Sequence, residues 1–340
     1  MAFWGTNVAP NVSLPGRPTL DSVAPTLAEV AGLRRPHPEV RSGKRQAGVA
    51  VTGNRVKLIA VIVWKEISTA ELRGSPERWP ELKSAFDSGA STLQASAGSL
   101  PLDPGALLAT IGTGGLPRQH GITGATVRND RGQVVQAWGK GAPVSVIAAL
   151  GDDVDESSDQ DARVGVVGTH SYDRGLIGRN WYVQTDRDDV RIMDPDKRPD
   201  EQVRSAEQLL GSGYGDDDVT DLLAVAFQGE DLDALDRATA RLIRAAEDAS
   251  GGSVAFAFAG TGSGAPDDSV PAAKLTRALK GKLGTDVVAA SSVGGLFLDQ
   301  EVLLQEEMSE NAVVKALRSL PELRGGDVFS ATAIQLARYC

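Results

Sequence analysis

Cysteine is nearly absent. The chain has 340 residues, and its one cysteine is the terminal Cys340. That excludes an internal disulfide framework and any cysteine-rich zinc site. Histidine is scarce too, with only His37, His120 and His170, which restricts the metal chemistry open to the chain. Aromatic residues make up 5%. There is no surplus of basic charge: 35 Lys and Arg stand against 45 Asp and Glu, a net charge of −10. A nucleic-acid scaffold ordinarily shows a basic face, so no nucleic-acid partner is expected. Long hydrophobic runs are missing as well. The longest clean one, Leu58 to Trp64, falls far short of the roughly 20 residues that span a bilayer, so no membrane partner is expected. The first residues carry neither a basic n-region nor an apolar h-region, which makes a cytoplasmic location the expectation.

What is present reads as a soluble α/β protein. Apolar residues make up 41% and charged residues 24%, both ordinary for a globular chain, and 38 glycines announce many tight turns. The length allows two domains or one large one, with enough chain to bury a core. The pattern over 19–32 predicts a helix with Leu27, Val30 and Ala31 on one face, closed by Gly32. Residues 34–55, basic and Gly-containing, show no periodicity and read as a linker. The β-branched run 56–63 predicts a strand buried on both faces. Helices are predicted over 80–88, 105–112, 144–150, 232–249, 272–282 and 311–320. Strands are predicted over 164–167, 222–227, 254–258 and 287–291. The charged, Pro-containing stretch 186–201 reads as a surface loop. Alternating strands and helices predict a mostly parallel sheet covered on both faces.

The most informative segment is Ala109-Thr-Ile-Gly-Thr-Gly-Gly-Leu-Pro-Arg-Gln-His-Gly-Ile-Thr-Gly124. It resembles the T-x-x-T-G-x-x-P-x-x-H-G-I-x-G signature of the alkaline phosphatase superfamily, closest to the type I phosphodiesterase/nucleotide pyrophosphatase-like branch. Thr110, Thr113, Gly114, Pro117, His120, Gly121, Ile122 and Gly124 match. The resemblance extends over most of 56–320 and implies a three-layer α/β/α sandwich with a mostly parallel sheet. Residues 1–33 resemble the C-terminal end of such a domain, placed first. That order suggests a circular permutation, with 34–55 as the linker and 56–340 as the main α/β domain. The alternative is the back end of one domain fused to a second.

The resemblance also implies a two-metal site of Asp and His ligands with a Thr or Ser nucleophile, the metals clamping the attacking and leaving oxygens. The expected positions are changed in this chain. After the first strand stands Trp64-Lys65-Glu66 in place of a ligand, and Lys65 would repel a cation. The nucleophile position falls on Pro104, so only its neighbour Asp103 could serve, with a register shift. Asp231 survives from one ligand pair, but Leu235 replaces its histidine partner. The S-D-H-G motif falls on Ala259-Gly-Thr-Gly262. His170 is a stray candidate ligand, and His120 belongs to the matched turn together with Thr113, Gly114 and Gly121, where it holds the turn or touches substrate.

Three readings follow. The leading one is a pseudoenzyme that keeps the fold, has lost metal-dependent phosphate-ester hydrolysis, and binds a protein partner or a small phosphate-bearing ligand. The second is an active phosphomonoester or phosphodiester hydrolase using zinc or manganese through Asp103, Asp231, His120 and His170. The third is a nucleotide-binding protein whose loop Gly260, Thr261, Gly262 and Gly264 cradles phosphate. Its G-x-G-x-G spacing departs from the dinucleotide fingerprint.

Overall fold

A computed structural model describes residues 1–99, 102–179, 181–182, 185–262, 270–292, 295–323 and 328. The segment Ala2–Gly5 forms β1, Val12–Ser13 forms β2, and Val23–Ala31 forms the helix α1, which Gly32 ends in the left-handed conformation at φ 70°. The apolar run Leu58–Trp64 is β3, buried along its whole length. Then follow α2 (Thr69–Gly74), α3 (Pro80–Ser88), β4 (Ala90–Ser91), α4 (Pro104–Thr113) and α5 (Pro117–His120). A hairpin of β5 (Thr126–Arg128) and β6 (Val134–Gln136) leads to α6 (Leu150–Ser157), β7 (Val164–Gly168), β8 (Asp189–Ile192) and α7 (Pro199–Leu210). Next come β9 (Asp221–Phe227), α8 (Leu232–Ser250) and β10 (Val254–Gly260).

Eight of these strands make one sheet in the order β2-β4-β1-β10-β3-β9-β7-β8. Every pairing from β10 through β8 is parallel, and β1 alone runs antiparallel to its neighbours β10 and β4. Side chains alternate across the sheet as the two-residue period of a strand requires. Ile59, Val61, Val63, Leu222, Ala224 and Ala226 join one core with α1, α4 and α6. Leu58, Ala60, Ile62, Trp64, Leu223 and Phe227 join the other with α3, α7 and α8. The result is the three-layer α/β/α architecture, with the first residues of the chain completing the sheet beside β10.

Several local expectations need correction. Residues 144–149 are not helical. Ser145 Oγ donates to the Ile147 carbonyl at 2.6 Å and accepts from its N–H at 3.2 Å, so the side chain competes with helix formation. The helix starts only at Leu150, where Asp152 accepts the Ala149 N–H at 2.8 Å. The stretch 186–201 is not all loop, because it contains β8 and the first turn of α7, which starts on Pro199. The strand around 287–291 lies outside the main sheet. It is β11 (Val288–Ser292), paired antiparallel with β12 (Gly295–Leu298). With α9 (Ala272–Leu283), α10 (Gln300–Gln305) and α11 (Glu310–Arg318), this ribbon closes a small core of its own around Leu279, Leu303, Val313 and Leu317.

Residues 34–55 pack against the main body. Val49 and Arg41 are buried, Gly43 N–H donates to the Gly114 carbonyl at 2.9 Å, and Gln46 N–H donates to Thr26 Oγ1 at 2.9 Å. Asp153, fully buried, accepts from Arg35 Nε at 2.6 Å and from Tyr182 Oη at 2.9 Å, and lies 3.5 Å from Arg41 Nη2.

Candidate functional site

The central parallel strands all end on the same edge of the sheet, the edge where open α/β folds ordinarily place their ligands. Four segments meet there. β3 runs out into Lys65 and Glu66, β7 into Thr169 and His170, β9 into Gln228, and β10 into Thr261. The backbone ties them together. Lys65 N–H donates to the Phe227 carbonyl at 3.0 Å, Thr261 N–H to the Trp64 carbonyl at 3.2 Å, and Glu66 N–H to Thr261 Oγ1 at 2.9 Å. Glu66 takes a left-handed φ of 67°, a sharp turn that ends the strand and sends its side chain outward to Gln228.

Lys65 dominates this edge. It is only 1% exposed, and its ammonium donates to both oxygens of the equally buried Asp173, at 2.9 and 3.1 Å. It also donates to Thr169 Oγ1 at 2.7 Å, lies 3.3 Å from His170 Nδ1, and sits 5.5 Å from the centre of the Tyr172 ring. An ammonium can only donate, so His170 presents Nδ1 as an acceptor and carries its proton on Nε2. The Thr169 hydroxyl then links the two, accepting from Lys65 and donating to His170 at 2.9 Å. Burial lowers the Lys65 pKa, and the Asp173 carboxylate opposes that shift. His170 is held below its ordinary value, by burial first and by the Lys65 charge second.

The sequence builds this arrangement locally. Asp173 also accepts the N–H groups of Thr169 at 2.7 Å and His170 at 3.0 Å, folding 169–173 into a tight turn. A Cβ on Gly168 would overlap the Asp173 carboxylate, so the carboxylate can tuck beneath the end of β7 only because residue 168 is glycine. The turn in turn packs on α4 with backbones in contact, Gly112 against the carbonyls of Gly175 and Leu176.

The residues singled out from the sequence fall into separate places. His170 and Thr261 lie on this edge. His120 is buried, donates from Nε2 to Thr110 Oγ1 at 3.1 Å and accepts the Ile122 N–H on Nδ1 at 3.1 Å. Burial pushes its pKa down to about 3, so it stays neutral and braces the turn that Gly114 and Gly121 open, both with positive φ. Thr113 donates to the Ala109 carbonyl at 2.6 Å and accepts the Gly115 N–H at 3.1 Å. Asp103 is the buried N-cap of α4, accepting from Gly105 N–H at 2.9 Å and Ala125 N–H at 2.5 Å. Asp231 is exposed, caps α8 and pairs with Arg78 at 2.7 Å. In the glycine loop, the N–H groups of Thr261 and Gly262 already donate to the carbonyls of Trp64 and Ile67, and Gly264 lies outside the described residues.

The sequence resemblance implies a divalent-metal centre, and the described residues at this edge do not fit one. Among the described residues, no three His, Cys, Asp or Glu side chains are grouped to hold an ion. Of the potential ligands at this edge, Asp173 and His170 both face a fixed ammonium, and Glu66 is turned outward to Gln228. Sequence reasoning noted Lys65 as unfavourable for a cation but missed its partner Asp173, which is 108 residues away.

No protein-family model matches the sequence, and no curated protein matches it either. Solved structures do. The crystal structure of wild-type alkaline phosphatase PafA matches with a TM-score of 0.55 at 15% identity, over 80% of this chain and 78% of that one. The fold is that of an alkaline phosphatase. A mutant of the same enzyme matches with a TM-score of 0.59, also at 15% identity, over 81% of this chain and 78% of that one. None of the described helices is long and apolar enough to cross a membrane.

The same turn carries a second charged group. Arg174 donates to Asp186 at 2.7 Å and to Asp188 at 2.6 Å, while burial pushes Asp152 up to about 6 and Asp155 up to about 7. A carboxyl raised by folding contributes stability that is complete below its unfolded pKa, near 4, and is lost as pH rises through the folded value. Asp155→Asn removes the group that must ionise. We therefore expect thermal melts to show this variant gaining on the wild type between pH 5 and pH 8. An identical difference at both pH values would contradict this.

Proposed function

We propose that this chain uses the alkaline phosphatase fold for binding, having given up metal-dependent phosphate-ester hydrolysis. Its partner is a protein or a small phosphate-bearing ligand. Within the superfamily we place it nearest the type I phosphodiesterase/nucleotide pyrophosphatase-like branch, on the strength of the Thr110-to-Gly124 turn. The observation that carries the functional reading is the Lys65–Asp173 pair at the end of the central strand. A doubly charged ion about 4 Å from a fixed ammonium is repelled by about 8 kcal/mol at an effective dielectric of about 20. The start of α4 supports the same reading. Pro104 has no nucleophilic atom, and the Asp103 carboxylate is already engaged as a cap.

The same reading takes 1–33 as the closing piece of the domain carried at its front, joined through 34–55. The support is that β1 lies between β10 and β4 while α1 lines the core beneath β10.

The test is turnover of an aryl phosphate monoester and diester with added zinc or manganese. We expect none above the buffer rate. Turnover that disappears in Asp231→Ala would overturn the reading in favour of a hydrolase with substituted ligands.

A further inference from the structure

The glycine loop after β10 cannot hold phosphate with the N–H groups of Thr261 and Gly262, which bond the carbonyls of Trp64 and Ile67 at 3.2 and 3.1 Å. The loop does form one wall of a cleft of about 190 Å³. Other walls come from the start of α2 and from residues 93–97. Leu20, Ile67, Leu72 and Phe258 make the floor, each almost fully buried. Leu102, also on the lining, is exposed. Among the described residues, no charged side chain lines the cleft, and its polar side chains are hydroxyls. Ser68 Oγ accepts the Glu71 N–H at 3.2 Å and Thr261 Oγ1 accepts the Glu66 N–H at 2.9 Å, so each has its own proton to offer a ligand.

We infer that this cleft binds a small ligand by one uncharged ring that carries an acceptor oxygen. The inference rests on the reading that the chain binds a small ligand, and it adds which part of that ligand is held and where. Size sets one limit. An apolar cavity of roughly 150 Å³ takes a single benzene ring, whereas drug-sized ligands fill roughly 300–1,000 Å³. The lining sets the other. An ion moved onto it gives up its hydration and meets no counter-charge, so a phosphate on the same ligand stays outside the cleft. An uncharged ring gives up little and removes the leucine, isoleucine and phenylalanine surface from water. An oxygen on the ring accepts from the Ser68 or Thr261 hydroxyl.

The experiment is methyl NMR of the full chain titrated with benzyl alcohol, phenyl phosphate and inorganic phosphate. We expect the two ring compounds to shift the Ile67 and Leu72 methyl signals saturably, with half-saturation in the millimolar range or tighter. Inorganic phosphate should neither shift these signals nor compete with benzyl alcohol. Ala95→Phe, which puts a ring on the lining, should abolish the saturable shift. Leu102→Ser changes an exposed side chain and should weaken binding at least twofold. No saturable shift with either ring compound would overturn the inference, as would competition by inorganic phosphate. Should Ala95→Phe not fold, Leu102→Ser decides, and an unchanged half-saturation there overturns it. Phosphate-ester turnover with zinc or manganese would sink the functional reading and leave the cleft standing, whereas a chain without turnover that ignores both ring compounds sinks this inference alone.

Discussion

Asp173→Ala is expected to destabilise the chain by about 3–5 kcal/mol, the cost of leaving a buried charge without its partner. The carboxylate is fully buried and accepts from the Lys65 ammonium and from two backbone N–H groups, so its removal strands three donors. Lys65→Met should be milder, because Asp173 keeps the Thr169 and His170 N–H donors. The double variant Lys65→Met with Asp173→Ala removes both charges, and its loss should fall well short of the sum of the single losses. The Asp173→Ala deficit should also shrink as pH rises. Burial already lowers the Lys65 pKa, and without the carboxylate to oppose that shift the ammonium loses its proton more readily. Urea unfolding at two pH values measures all of this. Additive losses with no pH dependence would show that the pair is not the coupled unit described above.

The second large effect is at Asp153. This fully buried carboxylate accepts from Arg35 and Tyr182 and faces Arg41. Among the described residues, Arg35 Nη1 and Arg41 Nε are buried with no hydrogen-bond partner, so the two guanidiniums are already incompletely satisfied. Asp153→Ala leaves both charges uncompensated and should again lose about 3–5 kcal/mol. The loss should be local first, because both arginines belong to the 34–55 stretch. Limited proteolysis should cut the variant within 34–55 under conditions where the wild type resists. Cutting at equal rates in both would mean that the ion cluster does not hold this stretch down.

Much of the fold is written in local pattern. β3, β10 and β9 beyond Asp221 are apolar runs, and α8 ends on Gly251 in the left-handed conformation. The elements that escape sequence reading are those whose signal is mixed. α7 begins inside a charged stretch, where Pro199 marks a first helical turn and not a break. β8 is a half-exposed edge strand with no apolar run to announce it. Residues 144–149 lead into the helix that starts at Leu150, but Ser145 bonds the backbone of Ile147 and holds them open.

The site was less legible for a different reason. His120 stands out in sequence because it sits in a matched motif, and Asp103 because it adjoins the expected nucleophile position, yet His120 is engaged by Thr110 and the Ile122 N–H and Asp103 by the N–H groups of Gly105 and Ala125. Lys65 closes an apolar strand, and a lysine in that place is a signal of a buried partner. Which residue is the partner depends on the turn after β7, on Gly168 leaving room for a carboxylate, and on α4 pressing behind it. None of these is a local property of the chain around Lys65.

The central claim is that the positive charge at the carboxyl edge of the sheet belongs to Lys65 and not to a metal ion. A crystal of the wild-type chain soaked in zinc, with diffraction recorded at the zinc absorption edge, tests it directly. The account predicts no anomalous peak among Lys65, Asp173 and His170, with the ammonium still bonded to the carboxylate. An ordered zinc peak there, with Lys65 displaced, would contradict it.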